Sequence, residues 1–142
     1  MHTNPPDEVL RRILADATTI AVVGASSDPA KASHQIMRQL QRAGYRVIPV
    51  NPREASVLGE MAYASLDDIG EPVDIVDVFR RAEDTPPIAE QAVRTGARVL
   101  WLQQGIASDM AATIAAAGGL QVVMDACIAS THARLHVPRR VG

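Results

Sequence analysis

Five short runs of apolar residues recur along the chain, at 20–23, 45–50, 73–79, 97–102 and 120–124. Each is the length of a strand, and between them lie segments whose apolar residues fall at helical spacing. Asp7 is expected to cap a first helix carrying Val9, Leu10, Ile13, Leu14 and Ala17 on one side. Ser33 is expected to cap a second, with Ile36, Met37, Leu40 and Ala43 inward and Gly44 at its C-terminal turn. A third helix is predicted over 85–95, its prolines tolerable in a first turn and Gly96 closing it. Ser108 starts an alanine-rich fourth that Gly118-Gly119 ends, and a short helix is predicted through 132–135. Residues 55–64 read as irregular, with a short helix around 65–69, and the ends at Asn4-Pro5-Pro6 and Pro138-Arg139-Arg140 read as frayed. Pro49 cannot donate to a ladder, so it belongs at a strand's end or on an unpaired side.

Strands and helices that alternate five times predict an α/β fold, since parallel strands need crossover connections and near-continuous apolar runs suit strands buried on both faces. The expected architecture is a Rossmann-like, doubly wound, five-stranded parallel sheet in the order 3-2-1-4-5, with helices on both faces. No composition shift, repeat or linker divides it, so residues 1–142 are expected to form one domain with a core from about 18 to 135. At 142 residues, folding buries roughly 68–70% of the unfolded chain's surface. Aromatics are only 3% of residues, so the core must be built from Val, Ile, Leu and Ala.

Charge and special residues then narrow the partners. A net charge of −2 argues against nucleic-acid binding by bulk electrostatics. No apolar run approaches the roughly 18 residues of a membrane span, and the first residues hold no apolar signal core, so a cytoplasmic protein is expected. Cys127 is the single cysteine, without a disulfide or metal partner at a familiar spacing. The sequence holds no Gly-x-Ser-x-Gly elbow and no Walker A pattern.

In doubly wound sheets, ligands sit at the carboxyl ends of the strands beside strand 1. Five loops should meet there: 24–33, 51–53, 79–81, 103–106 and 125–128. The first follows a strand and opens a helix, which favours an anion. It holds Gly24, Ser26, Lys31 and Ser33 but only one of the three glycines of a dinucleotide fingerprint. The second strand ends in Asn51, where an unmodified ribose would call for an acid. Asn51, with Arg53 and Lys31 nearby, tolerates a phosphorylated ribose, so coenzyme A and NADP both fit better than NAD. Of the adjacent pair Arg80-Arg81, only one side chain should face the ligand. Gln103 and Gly105 offer amide and backbone contacts, or Gly105 only permits a turn. Cys127 is a rim thiol or simply a small buried hydrophobe. His34, at a helix start, is expected to be exposed.

The blocks 22–26, 44–52, 76–81, 101–106 and 123–128 resemble, in order and spacing, the stand-alone CoA-binding proteins. That family is similar to the N-terminal CoA-binding domain of the succinyl-CoA synthetase α subunit and of ADP-forming acyl-CoA synthetases. The resemblance implies that Gly24, Ala25 and Ser26 line a phosphate loop assisted by Lys31 and Ser33. It further implies that Asn51 and Pro52 border the adenosine, that Phe79 and Arg80 form the neighbouring wall, and that Gln103, Gly105 and Ile106 contact pantetheine. Cys127 looks like the cysteine that lies close to the CoA thiol in the synthetase. Ala126 stands where a basic residue is common, and Thr131 where an acid often precedes the histidine. The synthetase's phosphorylated histidine belongs to another domain, so the ligand carries over and the catalysis does not. The expectation is a non-catalytic binder of CoA or an acyl-CoA, with an NADP-dependent oxidoreductase as the alternative. A homodimer or an unidentified protein partner is compatible with either.

Overall fold

The computed structural model describes residues 2–141. The chain runs through α1 (Asp7–Asp16), β1 (Thr19–Val23), α2 (Ala32–Arg42), β2 (Arg46–Val50), β3 (Ser56–Val57), β4 (Glu60–Met61) and β5 (Ile75–Val78). It continues through α3 (Thr85–Arg94), β6 (Val99–Leu102), α4 (Asp109–Ala117), β7 (Gln121–Val123) and α5 (Ile128–Arg134). Five of these strands form one parallel sheet, β2-β1-β5-β6-β7.

Side chains alternate across the strands and so fill two cores. Ile20, Val22, Ile75, Val99 and Trp101 face α1, α2 and α5, joining Leu14, Met37, Leu40, Ile128 and Leu135. Ala21, Val23, Val76, Val78, Leu100 and Leu102 face α3 and α4, where Ala89, Ala92, Ala111, Ala112 and Ala115 let the two helices lie close to the sheet.

The α/β class, the five parallel strands and the helices on both faces match the expectation, but the third parallel strand sits elsewhere than predicted. Counted along the chain, the order is 2-1-3-4-5 and not 3-2-1-4-5. Two local features direct this. The outer edge of β2 is already occupied, because Tyr63 N donates to Pro49 O and Asn51 N donates to Tyr63 O. Meanwhile the Asp74 carboxylate accepts from Thr18 N at 2.8 Å and Thr19 N at 3.0 Å, which holds the start of β5 beside β1. Pro49 thus lies in an edge strand with its polar atom turned outward. The order places the switch point between β1 and β5, where neighbouring connections leave on opposite faces.

Several local expectations are corrected. Residues 55–64 contain an antiparallel β3–β4 hairpin, turned by Leu58 and Gly59 at positive φ. The first helix begins at Asp7 itself, with Pro6 at the cap position. Lys31 caps α2, and Ser33 lies buried inside its first turn. The last helix starts at Ile128, earlier than predicted. Both segments expected to fray are tied down by hydrogen bonds: Asn4 Nδ2 donates to Met124 O and its Oδ1 accepts from Met124 N, just past the end of β7. Near the other end, Arg140 N donates to Ala43 O at 2.7 Å. Ser108 behaves as predicted, its Oγ accepting from Ala111 N at 3.1 Å.

Candidate functional site

β1 ends against its two neighbours through Gly24. Its N–H donates to Val50 O at 2.8 Å, and its φ is +91°. A Cβ here would stand 2.5 Å from Phe79 O, so the crossing of the β1 and β5 tips admits only glycine. The chain then forms a loop held by its own polar groups. Ser26 Oγ accepts from Asp28 N, Asp28 Oδ1 accepts from Ala30 N, and Glu54 accepts from both the N–H and the hydroxyl of Ser27. Asn51 links this loop to the end of β2: its Nδ2 donates to Ala25 O at 2.8 Å, and its Oδ1 accepts from Arg53 N. His34 is buried against expectation, its Nδ1 lying 2.9 Å from Ser26 O. A carbonyl only accepts, so Nδ1 carries the hydrogen and fixes the loop to α2.

These elements enclose an open cleft of about 480 Å³ lined by Gly24, Ser26, Lys31, Ala32, Ser33, Asn51, Arg53, Phe79 and Arg80. The first intrahelical bonds of α2 come from His34 N and Gln35 N to Lys31 O. The N–H groups of Ala32 and Ser33 therefore remain free at the cleft wall. Lys31, Arg53 and Arg80 stand around it, and among the described residues none has a carboxylate within salt-bridge distance. Arg81 turns away, 3.2 Å from Asp84 and 3.5 Å from Glu83. One arginine of the adjacent pair thus faces the cleft, as alternation along an extended chain requires. Converging cations and unpaired N–H groups suit phosphate groups.

Of the residues singled out from the sequence, Gly24, Ser26, Lys31, Ser33, Asn51, Phe79 and Arg80 line this one cleft. Ala25 is fully buried beneath it, and Pro52 is exposed beside it. Gln103, Gly105, Ile106 and Cys127 form a second cluster at the tips of β6 and β7, knitted by internal bonds. Gly105 N donates to Asp125 Oδ1 at 2.7 Å, and Asp125 N donates to Ile106 O. Gln103 is buried with its Oε1 accepting from Ile128 N at 3.0 Å. Half-buried Cys127 has a lowered pKa. Burial alone would raise it, but hydrogen bonds from the Ser130 hydroxyl and N–H, the Gln103 amide and Ala129 N–H outweigh that effect.

Asp77, next to the last residue of β5, is a buried acid that the sequence reading did not single out. It lies in β5 between Val22 and Trp101, fully buried, and neither carboxyl oxygen has a hydrogen-bond partner among the described residues. Burial first, and the neighbouring Cys127 charge second, push its pKa well above the ordinary carboxylate value. The signal was present: an acid inside a strand that must be buried on both faces is costly unless it does something.

A parallel α/β sheet whose switch-point cleft carries free cations and helix N–H groups is an arrangement suited to phosphorylated ligands. Comparison with known proteins gives the family. Residues 18–133 match the model of the CoA binding domain, and the chain belongs to that family. It is 43% identical over 130 residues to the uncharacterized protein YneT of Bacillus subtilis, covering 92% of this chain and 96% of YneT. A hypothetical protein of Pyrococcus horikoshii has the same fold at a TM-score of 0.90 and 36% identity, covering 96% of this chain and 99% of that one. Over 57 residues the chain is 44% identical to the α subunit of the ADP-forming acetate–CoA ligase II of Pyrococcus furiosus. That match spans 39% of this chain and 12% of the ligase subunit, making the chain a homologue of one segment of such synthetases. Among the described residues no helix is long and apolar enough to cross a membrane, and no group of His, Cys, Asp and Glu is arranged to hold a metal.

Proposed function

We propose that this protein holds CoA, or an acyl-CoA, across the carboxyl ends of its strands and does no chemistry on the phosphorylated part. The observation that carries this is the cleft itself: Lys31, Arg53 and Arg80, together with the N–H groups of Ala32 and Ser33, converge on one space of about 480 Å³. CoA offers it a diphosphate and a ribose phosphate. Asn51 supports a phosphorylated ribose, because its side chain is committed to Ala25 O and Arg53 N and brings no negative charge to the cleft. The pantetheine arm would run along the sheet edge past Gly105 and Ile106 toward Cys127. Gln103, bound to Ile128 N, would act there as a strut more than as a ligand contact. Family membership favours the same ligand.

Isothermal titration decides between the two phosphorylated-ribose ligands. CoA should bind, and NADPH should bind more weakly. Absence of heat at millimolar CoA, or NADPH binding more tightly than CoA, would reject the proposal.

A further inference from the structure

Two walls of the cleft come from different parts of the chain. Ser26, Lys31, Ala32 and Ser33 belong to the loop after β1 and the start of α2, whereas Asn51 and Arg53 belong to the loop after β2. Residues 27–32 are all exposed, so no packing holds that stretch and its shape rests on hydrogen bonds. Two side chains tie one loop to the other. Asn51 Nδ2 donates to Ala25 O at 2.8 Å, beneath the cleft. Glu54, next to Arg53 and half-buried, reaches across to Ser27, next to Ser26. Its Oε2 accepts from Ser27 N at 2.6 Å and its Oε1 from Ser27 Oγ at 2.9 Å, so one residue engages both carboxylate oxygens. The backbone that carries Glu54 is itself anchored, because Glu54 N donates to Asn51 O and Ala62 N of the β3–β4 hairpin donates to Ala55 O. An acid beside a cleft for phosphates repels the ligand. Yet among the described residues Glu54 pairs with no cation, and every hydrogen bond of its carboxylate goes to Ser27.

We propose that Glu54 is a positioning residue for the ligand's phosphates. Acting through Ser27, it clasps the loop after β1 to the loop after β2 and so fixes the gap between Lys31 and Arg53 before the ligand arrives. This rests on the CoA-binding proposal and adds to it the residue that preorganises the cleft. Two effects of the same carboxylate oppose each other. Its charge weakens phosphate binding, but at an exposed rim water and salt screen that repulsion. Its hydrogen bonds, one of them charge-assisted to a backbone N–H, keep ordered a loop that the ligand would otherwise have to order on binding, with a loss of affinity. The ordering effect outweighs the screened repulsion. Glutamine separates the two, because an amide at this position accepts from Ser27 N and donates to Ser27 Oγ while carrying no charge.

Titration calorimetry with CoA on four variants tests this. Glu54→Ala loses clasp and repulsion together and should bind CoA about tenfold more weakly than wild type, the size of one charge-assisted hydrogen bond. Glu54→Gln keeps the clasp without the repulsion and should bind at least as tightly as wild type. Ser27→Ala retains its N–H and should fall between wild type and Glu54→Ala. Glu54→Ala combined with Ser27→Ala should bind no more weakly than Glu54→Ala alone, since the hydroxyl has already lost its acceptor. Glu54→Ala binding as tightly as wild type, or more tightly, would mean that the carboxylate only repels phosphates, and would overturn the role. Glu54→Gln as weak as Glu54→Ala, or losses that add fully in the double variant, would overturn it too. All three results leave CoA binding by wild type standing, whereas a wild type that binds no CoA overturns the ligand reading and this role with it. Hydrogen exchange of the Ser27 amide in the ligand-free protein reads the clasp directly. Exchange should be slow in wild type and Glu54→Gln and faster in Glu54→Ala, with the strands of the sheet equally protected in all three. Equal exchange at Ser27 in wild type and Glu54→Ala would overturn the clasp whatever the affinities.

Discussion

Two aspartates three residues apart show how differently the two ends of the sheet handle charge. At the N-terminal end, Asp74 accepts hydrogen bonds from Thr18 N, Thr18 Oγ1 and Thr19 N and lies 4.0 Å from Arg98. Burial alone would raise its pKa, but those donors and Arg98 hold it below the ordinary value. Near the C-terminal end, Asp77 has no donor and is pushed the other way. The cavities around them differ in the same sense. The one at the N-terminal end, about 270 Å³, sets Arg12 and Arg98 beside Asp16 and Asp74 over an apolar floor, so its charges balance internally. The cleft at the strand tips has three cations and no acid among its lining residues. One end satisfies itself. The other keeps its groups free, which is what a site for an anionic ligand requires.

The largest way to break this contrast is at Gly24. Gly24→Ala puts a Cβ against Phe79 O and an L side chain at φ +91°. Left-handed strain of about 1–2 kcal/mol, with about 1–3 kcal/mol for the forced overlap, should lower stability in urea denaturation and abolish CoA binding. Unchanged binding with unchanged stability would mean that the β1–β5 crossing does not shape the site.

The two aspartates make opposite predictions for pH. Asp77 keeps its proton when folded and loses it when unfolded, so the folded state binds more protons above the ordinary carboxylate range. Stability should therefore fall as pH rises from there toward the raised folded pKa, and Asp77→Asn should flatten that slope. Asp74 works in reverse: its contribution is present at neutral pH and fades as pH falls below the ordinary carboxylate range. Denaturation midpoints of wild type, Asp77→Asn and Asp74→Asn across pH separate the two. A slope of the same sign for both residues would contradict their assigned environments.

Smaller effects should separate the arginines. Arg80→Ala removes a half-exposed cation from the cleft and should weaken CoA binding by about tenfold, the lower end for a charge-assisted hydrogen bond. Raising the ionic strength should shrink that difference. Arg81→Ala loses only exposed pairs with Asp84 and Glu83 and should leave affinity unchanged. Arg98→Ala, at the opposite end, should leave affinity unchanged and cost at most about 1 kcal/mol of stability, as exposed ion pairs do. An Arg98 effect on affinity as large as that of Arg80 would erase the distinction between the ends.

Much of this was legible in the sequence because it depends on local pattern. The five parallel strands announce themselves as apolar runs such as Ile20-Ala21-Val22-Val23, and the loop residues Gly24, Lys31, Asn51 and Arg80 follow directly at their tips. What the sequence concealed depends on partners far along the chain. The strand order turns on Tyr63 covering β2 and Asp74 holding β5 to β1. Asn4, in a segment that reads as frayed, is ordered by Met124, 120 residues away. His34 reads as a surface residue at a helix start until Ser26 O is found beside its ring. Asp77 was visible as an acid in a buried run, but its lack of any partner is a property of the packed fold.

The central claim is that the strand-tip cleft, and not the balanced cavity at the other end, receives CoA. A crystal structure of the protein soaked with CoA tests this most directly. The account predicts phosphate density beside Lys31, Arg53 and Arg80, with the pantetheine arm running toward Cys127. Density between Arg12 and Arg98, or a cleft left empty at saturating CoA, would contradict it.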